Sequence, residues 1–276
     1  MKRATFILFL FTNIICTSKA DVSIISSFDF DGALGLTWDG SYLWTSSALA
    51  DIIYKVDPST GSIISSIASP GTDPHGLTWD GIYLWNVDSS SKTIFQLDPT
   101  DGSIIASFQN PAIAAISDNP HGLAFDGSNL WLAGSSINTI FKLNPLNGDI
   151  IQSFDLGYSE GGAWGLAWDG VNLWNSHPRG VEFGVGFLHS IDPATGNILS
   201  TDNAPGTKAN WNYGLAWDGS FLWMADSTKI YKLDVSGVNP IPVPGAALLG
   251  SIGIAFAGWR LRKRKELYEH CQNLSE

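Results

Sequence analysis

The sequence predicts an all-β fold, a five-bladed β-propeller closed by its own amino-terminal strand and followed by a short carboxy-terminal transmembrane helix. Three observations carry this. One phrase is written five times: GLTWDGSYLW from Gly35, GLTWDGIYLW from Gly76, GLAFDGSNLW from Gly122, GLAWDGVNLW from Gly165 and GLAWDGSFLW from Gly214. Successive copies lie 41, 46, 43 and 49 residues apart, the period of a four-stranded blade. Each copy continues into a second motif, such as IIYKVDPSTGSIISSI or TIFKLNPLNGDIIQSF, so every unit offers short apolar runs parted by Asp-Gly or Asp-Pro-x-x-Gly turns.

Blade three illustrates the elements. Strand A is expected over His121–Phe125, strand B over Asn129–Ala133, strand C over Thr139–Leu143 and strand D over Asp149–Phe154. Asp126-Gly127 makes the A–B hairpin, because glycine takes a positive φ without steric cost. In the C–D turn of blade one, Asp57 accepts hydrogen bonds from the turn backbone, Pro58 presets φ, and Gly61 suits the left-handed position. No run before Pro244 keeps a helical period of useful length. Eleven of the twelve tryptophans fall in the repeats, each able to bury about 150–250 Å². That supply matters because both cysteines, Cys16 and Cys271, lie outside them and leave the domain without a disulfide.

The last repeat stops after its third strand, at Gly237, whereas DVSIISSFDF near residue 21 copies the strand D phrase GSIISSI. Val22–Phe28 is therefore expected to supply the outer strand of blade five and to leave no long unpaired edge between first and last blades.

The two ends carry addresses. Lys2 and Arg3 precede the apolar run Phe6–Cys16, and Ser18-Lys19-Ala20 places small residues at a cleavage site. Residues 1–20 thus read as a secretory signal, cut between Ala20 and Asp21, ahead of a propeller over 21–237. Beyond a proline-rich linker, 238–244, Gly245–Trp259 is an uncharged short span, and residues 260–276 open with Arg260, Arg262, Lys263, Arg264 and Lys265. Those basic residues would hold that end in the cytoplasm. The 22 uncharged residues from Val238 to Trp259 could reach roughly 33 Å if helical throughout, but prolines 240, 242 and 244 confine helix to the later part.

The order of proline pair, small-residue apolar helix and basic cluster resembles the PEP-CTERM sorting signal of exopolysaccharide-producing Gram-negative bacteria. The resemblance covers about the last 40 residues. Pro242 and Pro244 match its prolines, while Val243 stands where glutamate is usual and an 11-residue tail follows Lys265. It implies an exosortase-type processing enzyme as a partner, anchorage in the inner membrane facing the periplasm, and then display at the cell surface or outside it.

Comparison of the copies locates the site. The A–B and C–D turns are nearly uniform, whereas the D–A connections range from SPGTDP to TDNAPGTKANWN, and blade four has the longest B–C connection, NSHPRGVEFGVG. A scaffold regular on one rim and elaborated on the other places recognition on the elaborated rim. The residue before each Gly-Leu starts the innermost strand, so Leu34, His75, His121, Trp164 and Tyr213 are expected to ring the channel mouth, with Asp73, Asp118, Glu160 and Trp211 preceding them. Asp88, His177, Arg179 and Asp226 follow strand B toward the same opening. Trp164, Trp211 and Tyr213 suit stacking on a sugar ring or packing in the loops, and His75 and His121 suit ligand contact or backbone hydrogen bonds. Arg179 suits a bidentate carboxylate or a surface pair with Glu182.

Residues 21–237 hold 23 Asp plus Glu against 7 Lys plus Arg, a net charge of −16, which repels nucleic acid and anionic lipid. No cofactor is expected. Two histidines with Asp88 suit Zn²⁺ chemically, and aspartate-rich loops suit Ca²⁺, but no ligand spacing supports either.

The phrases GLTWDGxxLW and IYKVDPxTG resemble the five-bladed glutaminyl cyclotransferases, and PHGL before a short LW strand resembles the streptogramin lyase repeat. The first resemblance implies an acid at the channel mouth, for which the propeller offers only Glu160 and Glu182. The second implies a histidine acting with a metal, and only the PHG of His75 and His121 matches. The expectation is a surface-displayed binding module for an extracellular polysaccharide or protein. The alternatives are an enzyme around His75, His121, Glu160 and Arg179, or a passive surface spacer.

Overall fold

In a computed structural model the structure describes residues 22–109, 119–134, 138–158, 162–178, 186–206 and 214–238. The segments expected to be a signal, a sorting motif around Pro242–Pro244, a membrane span over 245–259 and a basic tail lie outside the described residues. The chain divides into two units, Met1–Val238 and Asn239–Glu276, and every described residue belongs to the first.

Among the described residues twenty strands form five four-stranded sheets. The amino-terminal strand is β1 (Ser23–Asp29). Blade one comprises β2 (Leu36–Trp38), β3 (Leu43–Ser47), β4 (Ile52–Val56) and β5 (Ile63–Ala68). Blade two comprises β6 (Pro74–Trp79), β7 (Leu84–Asp88), β8 (Thr93–Leu97) and β9 (Ile104–Gln109). Blade three follows as β10 (Pro120–Phe125), β11 (Leu130–Gly134), β12 (Thr139–Leu143) and β13 (Ile150–Asp155), within one residue of the sequence expectation at every boundary. Blade four is β14 (Leu166–Trp168), β15 (Leu173–His177), β16 (Phe187–Ile191) and β17 (Ile198–Asn203). Blade five is β18 (Leu215–Trp217), β19 (Leu222–Ala225), β20 (Lys229–Asp234) and, outermost, β1.

β1 runs antiparallel to β20, with Ser23 opposite Asp234 and Asp29 opposite Lys229, and Lys229 forms an ion pair with Asp29. The borrowed strand thus completes the last sheet as its sequence implies. No helix occurs among the described residues.

The repeated phrase is explained by one hydrogen-bond knot. In each A–B turn the aspartate accepts two backbone N–H bonds on Oδ1, as Asp39 does from Ser41 and Tyr42. Its Oδ2 accepts the indole N–H of the strand B tryptophan at 2.7–2.9 Å: Trp44, Trp85, Trp131, Trp174 and Trp223. Those indoles are buried, so their N–H groups require an acceptor. Lys55, Lys142 and Lys232 reach the same carboxylates at 2.9–3.3 Å and lie over the neighbouring rings. Gln96 does this for Asp80.

Five apolar clusters hold the domain, one at each seam between blades. In one, Trp44 and Ile53 of blade one pack with Leu77, Leu84 and Leu97 of blade two. In another, Trp223 and Ala225 of blade five pack with Phe30, Leu36 and Leu43 of blade one, which closes the ring through side chains as well as backbone. The outer strands contribute too. A β-carbon on Gly61 would lie 2.5 Å from the ring of Phe28, so the C–D turn of one blade seats the strand D aromatic of the preceding blade.

Candidate ligand-binding rim

The D–A and B–C connections share one rim because backbone hydrogen bonds tie them together. Phe30 donates to Thr228, Ser69 to Asp51, Leu156 to Asn138 and Ala204 to Gly186, at 2.8–2.9 Å. In four blades a residue one or two positions before strand C takes a left-handed conformation: Asp51, Lys92, Asn138 and Ser227, at φ 53–68°. Blade four does not repeat this device among its described residues, consistent with its longer connection.

Along the axis the innermost strands approach until side chains no longer fit. β-Carbons on Gly35, Gly76, Gly122 and Gly214 would lie 1.9–2.4 Å from the carbonyl oxygens of His75, His121, Trp164 and Leu34, respectively. The resulting waist, ringed by the five Gly-Leu pairs and His121, has no room for a water molecule. The two ends of the channel are therefore separate mouths. A cavity of about 80 Å³ opens at the A–B rim among Thr37, Trp38, Thr78, Trp79, Phe125, Trp168 and Trp217.

At the other mouth His75 and His121 stack, with ring centroids 4.2 Å apart and planes 21° from parallel. Trp164 stands edge-on to His121 at 4.7 Å and 80°. Strand B residues fix the backbone of two of them: Ser46 Oγ donates to the His75 carbonyl and Trp164 N–H donates to the Ser176 carbonyl. Nδ1 of His75 lies 3.3 Å from the Asp73 carbonyl and 3.4 Å from the Asp73 carboxylate. Burial lowers the His75 pKa against the opposing pull of Asp73 and Asp88. Burial, aided by the adjacent His75, lowers that of His121 to about 3. Both imidazoles are thus uncharged at neutral pH, and Nδ1 of His121 is buried without a hydrogen-bond partner among the described residues.

A second constellation lies in blade four. Tyr158, from the connection between β13 and β14, packs on His177 at a centroid distance of 4.0 Å and on His189 at 5.0 Å. Its hydroxyl donates to Asn175 Oδ1 at 3.0 Å, and Asn138 Nδ2 donates to its carbonyl at 2.7 Å. Burial raises the Tyr158 pKa above its ordinary value, so the phenol keeps its proton. The His189 pKa is lowered to about 4, by burial first and by His177 second.

The structure therefore brings His75, His121 and Trp164 together at the mouth and places His177 with Tyr158 and His189 in blade four. Asp88 and Asp226 are both buried and accept hydrogen bonds from neighbouring loop groups. Asp88 accepts from Asp73 N and Ser91 N at 2.7 Å each. Asp226 accepts from Thr228 N and Lys229 N on one oxygen and from the Tyr231 hydroxyl on the other. Asp226 clasps its own B–C turn, and Asp88 ties its B–C turn to the D–A connection at Asp73; in each a buried carboxylate satisfies several donors at once. Glu160, Arg179, Trp211 and Tyr213 lie outside the described residues. The described residues contain no group of three or more His, Cys, Asp or Glu side chains arranged to hold a metal ion.

Tyr158, Asn175 and His189 were missed from sequence. The usable signal was internal: the third residue of strand C is Tyr54, Phe95, Phe141 and Tyr231 in the other blades, and histidine only in blade four.

No family model and no curated protein matches the chain. Among solved structures, glutaminyl cyclase from Myxococcus xanthus is 13% identical, with a TM-score of 0.63 over 77% of this chain and 95% of that one. The likeness is one of fold. Hydrazine synthase from Kuenenia stuttgartiensis is 19% identical over 73% of this chain and 57% of that one, at a TM-score of 0.45. A chain of a mitotic checkpoint complex is 16% identical over 72% and 62%, at 0.46.

Proposed function

We propose that this is an exported binding propeller, displayed at the cell surface, whose irregular rim takes a neutral extracellular polysaccharide. The observation that carries the reading is the His75–His121–Trp164 group: three ring side chains at one mouth, two of them uncharged imidazoles and one with an unpartnered ring nitrogen. Flat rings offer a stacking surface for a sugar, and a neutral imidazole nitrogen exchanges a hydrogen bond with a hydroxyl. A domain of net charge −16 disfavours an acidic glycan. Export and retention rest on the signal segment before Asp21 and on the Pro242–Val243–Pro244 signal with its apolar span and basic tail, which would be handled by an exosortase-type enzyme.

The test is binding of the full chain to neutral exopolysaccharide and its oligosaccharides by calorimetry. Wild type should bind, and Trp164→Ala and His121→Ala should each weaken binding at least tenfold. An absence of binding would overturn the reading. Cyclisation of amino-terminal glutamine that is lost in His121→Ala would make the protein an enzyme instead.

A further inference from the structure

Blade four departs from the other blades at two adjacent positions of its third strand, one on each face of the sheet. In strand order, positions that are Tyr54, Phe95, Phe141 and Tyr231 elsewhere become His189, and Lys55, Gln96, Lys142 and Lys232 become Ser190. His189 is opposite Asn175 on one side and Thr201 on the other. It is 4% exposed. Its Nδ1 lies 3.0 Å from Thr201 Oγ1, and its Nε2 is buried with no hydrogen-bond partner among the described residues. Asn138, held at a left-handed φ of 53°, likewise has a buried Oδ1 without a partner. A repeat that fills four seams with an aromatic ring and the fifth with an imidazole whose Nε2 is unsatisfied has given up stability there.

This seam is coupled to the channel mouth. Tyr158 and Trp164 belong to the same connection, and both are anchored on β15, Tyr158 through Asn175 and Trp164 through Ser176. We propose that the seam between blades three and four is a second subsite for the same neutral glycan chain. Half-buried Tyr158 and Phe187 are the platform, and His189 Nε2 and Asn138 Oδ1 are the hydrogen-bonding groups. A hydroxyl-rich ligand fits because a hydroxyl both donates and accepts. It satisfies Asn138 Oδ1, and it satisfies His189 whichever nitrogen carries the proton. The subsite rests on the glycan reading above and adds that recognition extends over more than one sugar unit.

The decisive variant is His189→Phe, which restores the side chain that blades two and three carry at this position. Thr201 is exposed, so water replaces its lost partner. Full-length wild type, His189→Phe and Trp164→Ala would be compared for melting temperature and for affinity toward glucose and neutral oligosaccharides of increasing length. The subsite requires His189→Phe to melt about 2–4 °C higher than wild type and to lose a roughly tenfold gain in affinity that wild type shows for longer chains. Trp164→Ala should weaken every length alike. A His189→Phe protein that melts below wild type would make the imidazole a structural element and overturn the subsite, as would unchanged length dependence. In both cases the mouth site would stand. Failure of wild type to bind any of the sugars overturns the mouth reading, and the subsite with it.

Discussion

The carbonyl oxygen of His75 occupies the space that a β-carbon on Gly35 would need, 1.9 Å from its ideal position. One contact thereby sets the spacing of blades one and two and fixes the backbone that carries a mouth histidine. Because both partners are backbone, neither yields. Gly35→Ala is expected to cost more than 3 kcal/mol, about the scale of the largest core defects. Gly127, by contrast, has a positive φ of 92°, and nothing lies within 4 Å of its β-carbon position. Gly127→Ala is therefore expected to cost only about 1–2 kcal/mol of backbone strain. Urea unfolding of the two variants separates steric closure from turn conformation.

The tryptophan-capping aspartates should outrank the C–D turn aspartates. Asp126→Ala strands the buried Trp131 indole N–H and removes the acceptor for Lys142, which is expected to cost about 2–4 kcal/mol. Asp57→Ala removes a carboxylate that accepts hydrogen bonds from Ser59 at an exposed turn, where water takes its place, so the expected cost is much smaller. Chemical denaturation midpoints should rank the two in that order.

Acid should destabilise the domain in two stages. His121 and His189 have folded-state pKa values lowered by burial to about 3 and about 4, against an unfolded value of 6.5. Below pH 6.5 the unfolded chain takes up protons that the folded chain refuses. Stability is therefore full above that pH and falls by about 1.4 kcal/mol per pH unit per group down to the folded values. Burial works against the carboxyls of Asp39, Asp126 and Asp218, but hydrogen bonds and lysine partners hold them below 3.8. Their contribution is present above pH 3.8 and lost below it, as pH falls through the folded values. Melting temperature measured from pH 8 to pH 3 should show the histidine stage first, and His189→Phe should reduce it.

Removal of residues 22–29 should open the ring. β20 would lose its partner strand and the Lys229–Asp29 pair, and blade one would lose Phe28 from the seat formed by Gly61. An exposed edge and an uncovered seam are expected to produce self-association, visible by light scattering. A shortened chain that stays monomeric with an unchanged melting temperature would contradict ring closure by β1.

The architecture was legible because the repeat states it five times. Gly, Asp and Trp recur at fixed offsets, and the copied SIISSF phrase betrayed the borrowed strand. The mouth was legible at His75, His121 and Trp164 because each stands before an invariant Gly-Leu of the repeat. Asp88 and Asp226 are ambiguous in the sequence because a carboxylate after a strand reads alike whether it faces a ligand or clasps its own turn. Only the buried geometry, with donors from Asp73, Ser91 and Tyr231, separates the two. Tyr158 and His189 were hidden for another reason. Their contact joins a connection of irregular length to a strand of the next blade, and no periodic pattern records it.

The central claim is that recognition belongs to the rim of the D–A and B–C connections. It is tested most directly by NMR of the imidazole and indole groups while a neutral oligosaccharide is titrated into the protein. Perturbations should be confined to His75, His121, Trp164, His177 and His189. If the histidines stay unmoved while Trp38, Trp79, Trp168 and Trp217 around the opposite cavity shift, the ligand enters by the regular rim and the account is wrong.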